Sequence, residues 1–196
     1  NGYVSDIAEK LEEAGYFYSR KGNPSISRKK TEAMATWVEL QEGKSLGLGR
    51  IQKFYEAVPK MGAGAVVKRG ASKLLDAAGP EDLLSYSTLA NEFGLIAPID
   101  THPMDIVKMS EQEKVYVRSL ERRGENIYEE PRIKLSTIHA MKGGEDDNVA
   151  VYLGSTQSCV DGKHPEDEHR VFYVAVTRAK KNLYLIETDK TYRYEI

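Results

Sequence analysis

The spacing of apolar positions changes character twice along the chain. Val4, Ile7, Ala8 and Leu11 recur at helical intervals and run into Ala14-Gly15, which suits a left-handed helix stop. Tyr16-Phe17-Tyr18-Ser19 then reads as an aromatic strand. Lys21-Gly22-Asn23-Pro24 is a loop, and Ser27 is placed to cap a helix over 28–40 that gathers Thr31, Met34, Trp37 and Val38 on one side. From 42 to about 130, short helical patterns are cut by glycine and proline. Helices are predicted near 49–57, 71–78 and 80–93, the last with Pro80 in its first turn and Glu81-Asp82 near its positive end. A helix over 110–123 has the fullest signature: Ser110 as cap, Glu113 as its box partner, Gly124 beyond the end. No strand is expected in this stretch. From Pro131 the α/β pattern returns, with a strand over 133–138 and a nearly continuous apolar strand over 148–153, of the kind buried on both faces. A helix over 165–179 opens on Glu166, Asp167 and Glu168, and a strand over 182–187 follows. Tyr192-Arg193-Tyr194 is expected to pair at an edge or to fray.

This pattern predicts an α/β domain from residues 1–41 and 131–196, interrupted by a helical insertion over 42–130. At 196 residues, 40% of them hydrophobic, the chain is long enough for one such core. No apolar run is long enough to span a bilayer, so no membrane partner is expected. The chain begins at Asn1 and is expected to be cut from a longer polypeptide. A single cysteine, Cys159, excludes an internal disulfide and fits a reducing, cytoplasmic setting. Net charge is −2, so a nucleic-acid partner would need a local basic stripe. The candidates are Arg20-Lys21, Arg28-Lys29-Lys30, Arg122-Arg123 and Lys180-Lys181, although such a cluster is more often a solvated face.

Three patterns resemble chemistry without supporting it. Glu42-Gly43-Lys44-Ser45 ends like a phosphate-binding loop, but Val38 stands where the earlier glycine is needed and a helix replaces the preceding strand. Asp167-Glu168 opens a helix, where a magnesium-holding acidic pair would close a hydrophobic strand. Cys159, His164 and His169 have metal-like spacing, but a second cysteine is missing.

Two blocks remain. In Ser136-Thr137-Ile138-His139-Ala140-Met141-Lys142-Gly143-Gly144-Glu145 a strand ends on hydroxyl and imidazole groups and turns through glycines. Such groups at a strand end suit phosphate oxygens, although read alone the block is equally an ordinary strand and turn. In Val171-Phe172-Tyr173-Val174-Ala175-Val176-Thr177-Arg178-Ala179 a helix that is apolar almost all round carries Arg178 in its last turn. An arginine there is either ion-paired structurally or aimed at an anion.

Together the blocks resemble motifs V and VI of superfamily 1 helicases of the UvrD/Rep/PcrA type, with Glu166-Asp167-Glu168-His169-Arg170 leading into the second. The resemblance covers about 1–40 and 131–190 and implies a RecA-like, mostly parallel sheet flanked by helices, with 42–130 in the place of a reduced 2B subdomain. It implies that Arg178 reaches the γ-phosphate of ATP, that Glu145 lies near the nucleotide ribose and that Gly143 shapes the turn. It implies further that Thr137 and His139 contact the single-strand backbone. ATP and its magnesium would be held by an N-terminal RecA-like lobe of the same polypeptide, with single-stranded or duplex DNA as the other partner. Lys142-Gly143 resembles the 3′→5′ branch. The family usually has Leu-Glu-Phe where this chain has Gly144-Glu145-Asp146. The alternatives are a non-enzymatic nucleic-acid- or protein-binding module, or the helicase lobe of a helicase–nuclease. With no phosphate-binding loop in the chain, the isolated fragment is expected to be inactive.

Overall fold

The computed structural model describes residues 2–141, 143–157 and 165–194. The chain is a mixed α/β protein with two compact units, Leu11–Lys134 on the one hand and Asn1–Lys10 with Leu135–Ile196 on the other. The expected division placed 1–41 with 131–196. Residues 11–41 instead belong with the middle stretch, because α2 (Arg28–Gln41) packs against α3 (Leu48–Ala57) through Trp37, whose ring stacks on Phe54 at 6.1 Å. Trp37 is fully buried, and its indole N–H donates to the Thr101 carbonyl at 2.8 Å, so the polar edge of the ring is satisfied in the core.

The larger unit is built from short elements with local stops. Helix α1 (Gly2–Glu13), of which only residues 11–13 fall in this unit, ends at Gly15, whose φ of +70° lets its N–H reach the Glu12 carbonyl and that of Tyr16 reach Leu11. Strand β1 (Tyr18–Arg20) follows and pairs antiparallel with β2 (Asn23–Pro24). Ser27 stands at the N-cap of α2, but its hydroxyl accepts no capping bond. Glu42 to Ser45 form the stop after α2, with Gly43 at φ +80° and Lys44 paired to Glu42, so the look-alike of a phosphate loop is a helix terminus. Strand β3 (Leu46–Gly47) leads into α3, and α4 (Ala71–Leu74) continues as a 3-10 turn to Ala77.

The predicted helix over 80–93 is corrected. Gly79 and Asp82 close a turn on each other, Leu83–Leu84 form β4 against β3, and the hydroxyl of Ser85 caps a new, short helix α5 (Tyr86–Asn91) by accepting from the Thr88 N–H at 3.2 Å. Two short strands therefore lie where none was expected. Helix α6 (Glu111–Arg123) carries the full capping box between Ser110 and Glu113 and stops at Gly124 with φ +75°.

Strand β5 (Ile133–Leu135) is shorter than predicted, because the chain turns into a 3-10 helix at Ile138–Met141. Strands β2, β1 and β5 form one small sheet in that order. In the smaller unit, β6 (Asp146–Tyr152) pairs parallel with β7 (Ala179–Ile186), from Asp146 opposite Ala179 to Tyr152 opposite Ile186. Helix α7 (Pro165–Val176) is the crossover that parallel pairing requires. Strand β6 is not buried on both faces, as its apolar run implied. Val151 is buried and Val149 half-buried under α7, against Phe172 and Ala175, while Asn148 and Ala150 are exposed. Gly154 and Arg193 form an antiparallel bridge, so the C-terminal aromatic segment does pair at an edge.

Two stability measurements test these stops. Gly15→Ala places a side chain in left-handed backbone, with its Cβ 3.0 Å from the Ser119 carbonyl oxygen. Equilibrium denaturation of the variant should show a loss of about 1–2 kcal/mol or more. Lys30 and the Ser110 N–H both hold Glu113 as a carboxylate, lowering its pKa below the usual value near 4.5. A depressed carboxylate stabilises the fold above its unfolded pKa, and that contribution fades as pH falls through the folded value. Glu113→Gln should therefore flatten the acid limb of the melting profile below about pH 4.5 and lower stability at neutral pH.

Candidate functional site

The two sequence blocks meet in the smaller unit. Thr137 begins the 3-10 turn; its carbonyl accepts from the Ala140 N–H at 3.1 Å and its hydroxyl lies 3.4 Å from the same nitrogen. Ile138 packs inward against the cluster of Val151, Leu153, Phe172 and Ala175. That anchor leaves His139 and Ala140 exposed on the outer side of the turn. The chain then reverses: Gly144 N–H donates to the Met141 carbonyl at 2.9 Å, with Gly143 at φ +82°. A Cβ on Gly143 would meet open space, so its requirement comes from the backbone angle and not from crowding. Lys142 lies outside the described residues.

Strand β6 starts directly after this turn, and its first N–H, from Asp146, donates to the carbonyl of Arg178 at 3.1 Å. Arg178 therefore sits beside the exit of the glycine turn. It lies just past the end of α7, not in its last helical turn as predicted, because the helix closes at Val176 and Thr177-Arg178 form a turn. The Arg178 Nε donates back to the Val174 carbonyl at 3.0 Å, and the Thr177 hydroxyl donates to the same oxygen at 3.0 Å. Both satisfy a carbonyl that the helix end leaves open, where positive charge is also favoured by the dipole. Arg178 is half-buried, and no carboxylate pairs with it among the described residues. Of its five N–H donors one is engaged in this bond, leaving the terminal nitrogens for an anion.

Glu145, exposed beside the turn, pairs with Lys180 at 3.4 Å. Further along the two strands, Asp147 pairs with Lys181 at 2.6 Å and Asn148 with Asn182 at 2.8 Å. Lys180-Lys181, read from sequence as a basic cluster, is thus matched by carboxylates of the other block. Arg28 and Lys30 are likewise paired, with Glu130 and Glu113, and Arg123 lies over the Tyr16 ring at 3.7 Å. The pairing of Glu145 with Lys180 was missed in the sequence. Its signal was the opposite-charge run Glu145-Asp146-Asp147 against Lys180-Lys181, which becomes informative only once the parallel register is known.

The first turn of α7 behaves as its charges suggest. Glu168 accepts from the Ser155 hydroxyl, and Asp167 pairs with Arg170 at 3.2 Å. His169 is hydrogen-bonded to the Tyr194 hydroxyl at 2.8 Å, while Cys159 and His164 lie outside the described residues. Among the described residues no three His, Cys, Asp or Glu side chains gather around a common metal position, and no helix is long and apolar enough to cross a membrane. The groups gathered here are a guanidinium with one N–H bonded to a helix carbonyl, an accepting carboxylate and a glycine turn.

Residues 98–190 match the UvrD-like helicase C-terminal domain. A stretch of 62 residues is 42% identical to a protein described as a probable DNA helicase II homolog of Mycoplasma pneumoniae, covering 28% of this chain and 9% of that protein. No solved structure matches the chain significantly. Both blocks of the site fall inside the span that is similar to the UvrD-like helicase C-terminal domain.

Proposed function

We propose that the chain is the C-terminal motor lobe of an ATP-dependent DNA helicase, RecA-like in its α/β part and 3′→5′ in polarity. In this reading ATP and magnesium are held by an N-terminal lobe. Arg178 reaches the γ-phosphate, Glu145 addresses the ribose and Gly143 shapes the turn between them. Thr137 and His139 touch the single-strand backbone. The observation that supports it best is the bond from the Asp146 N–H to the Arg178 carbonyl. It ties the polar turn to an arginine whose outer nitrogens have no carboxylate among the described residues.

The chemistry assigned to Arg178 is electrostatic. Phosphoryl transfer to water is catalysed mainly by positioning and by neutralising charge on the oxygens of the transferred group. A guanidinium suits that task because its donors are planar and its charge is permanent. The bond from Nε to Val174 leaves the outer edge of the fork aimed by the helix end, so less side-chain freedom is lost on binding. Magnesium, when bound, would add charge neutralisation from the other lobe. Contacts from Thr137 and His139 to phosphate and sugar carry no base information, as a motor that steps along any sequence requires.

Two measurements test the reading. Arg178→Ala in the full-length protein should lower DNA-stimulated ATP turnover by about a thousandfold or more, the scale for an arginine finger, with single-strand affinity little changed. Arg178→Lys should not restore it. Turnover within tenfold of the parent in a folded variant would remove Arg178 from the reaction. The chain on its own should show no ATP turnover above background in a steady-state assay with single-stranded DNA, since it carries no phosphate-binding loop.

A further inference from the structure

We propose that Lys180 is a positioning residue for Glu145, holding its carboxylate in register with Arg178. This rests on the reading of Glu145 as the ribose-facing group. Glu145 follows a left-handed turn and precedes the first residue of β6, so no strand bond of its own fixes it. It is also the first of three consecutive carboxylates, Glu145-Asp146-Asp147, whose mutual repulsion would otherwise spread them. Asp147 is held by Lys181. The Asp146 backbone is held by Arg178. Lys180 supplies the matching hold on Glu145, at 3.4 Å to Oε2.

The register makes this hold directional. Asp146 lies opposite Ala179 in the parallel pair, so Lys180 is carried on a paired strand beside the strand that Glu145 enters. A carboxylate has about four acceptor positions. With Oε2 turned toward Lys180, Oε1 remains free to accept from a ribose hydroxyl. Lys180 itself touches no nucleotide in this scheme and acts through Glu145 alone.

The pair is about half exposed on both sides, so the effect is modest. Steady-state ATP turnover with saturating single-stranded DNA would be measured in the full-length protein for Lys180→Ala, Lys180→Arg and Glu145→Ala. ATP would be compared with its 2′-deoxy and 3′-deoxy forms. Lys180→Ala should raise KM for ATP about two- to fivefold with kcat unchanged, the range for an exposed ion pair. KM for whichever deoxy analogue lacks the contacted hydroxyl should not move, so discrimination shrinks. Lys180→Arg should restore it. A loss of general folding would shift all three nucleotides together and would overturn the proposal. If Glu145→Ala abolishes ribose discrimination and Lys180→Ala does not, Lys180 has no positioning role although Glu145 keeps its own. If Glu145→Ala leaves discrimination intact, the ribose reading fails and the proposal falls with it, while the test of Arg178 stands apart.

Discussion

One backbone hydrogen bond, from the Asp146 N–H to the Arg178 carbonyl, sets the geometry on which the candidate site depends. A parallel strand pair cannot be closed by a tight turn, so the chain must leave β6, cross over and return. The crossover is α7, and the point where it hands the chain to β7 is Arg178. The bond therefore joins the beginning of β6 to the beginning of β7 across about thirty residues of chain. It also makes the exit of the glycine turn and the arginine neighbours by construction. The side-chain ladder of Glu145–Lys180, Asp147–Lys181 and Asn148–Asn182 follows from that register and does not create it.

The cost of the arrangement is visible in β7. Leu183, Tyr184, Leu185 and Ile186 are each between 41% and 56% exposed, consecutive residues whose side chains point to alternate faces. Parallel strands are ordinarily covered on both sides, and here α7 supplies a cover of Phe172 and Ala175 over Val151 and Leu153. The small cluster is closed further by Ile138 from the polar turn and by Tyr194, whose ring stacks on Phe172 at 4.2 Å. Ile138, partly buried, ties the turn to this cluster, with Thr137 and His139 as its neighbours in the chain.

Features decided within a few residues were legible in the sequence. Gly15, Gly124 and the Ser110–Glu113 box act where they were expected, because helix stops and caps are satisfied locally. The helix assigned to 80–93 failed for an equally local reason: Ser85 can cap, and its cap competes with a continuous helix begun at Pro80. The burial of β6 was not legible. A run of Val149-Ala150-Val151 looks the same whether one face or two will be covered, and the number of covers depends on partners far along the chain. The packing of α2 on α3 was not legible either, since nothing local in α2 says that Trp37 will stack on Phe54. In the site, residue types and order were readable, whereas the partner of Glu145 needed the strand register.

Arg178 was read as either a structural ion pair or a group aimed at an anion, and its surroundings show why those were not the only choices. Its Nε caps the end of α7 through the Val174 carbonyl, a neutral acceptor. A carboxylate partner would have neutralised the charge and claimed the fork of terminal nitrogens. A helix carbonyl takes one donor, restrains the side chain and leaves the positive charge uncompensated. Lysine could reach the same carbonyl, but its single ammonium would then be spent on it, with no second planar donor pair facing outward. The identity of the residue thus follows from having to end a helix and present charge at the same time, which only the branched guanidinium does from one position.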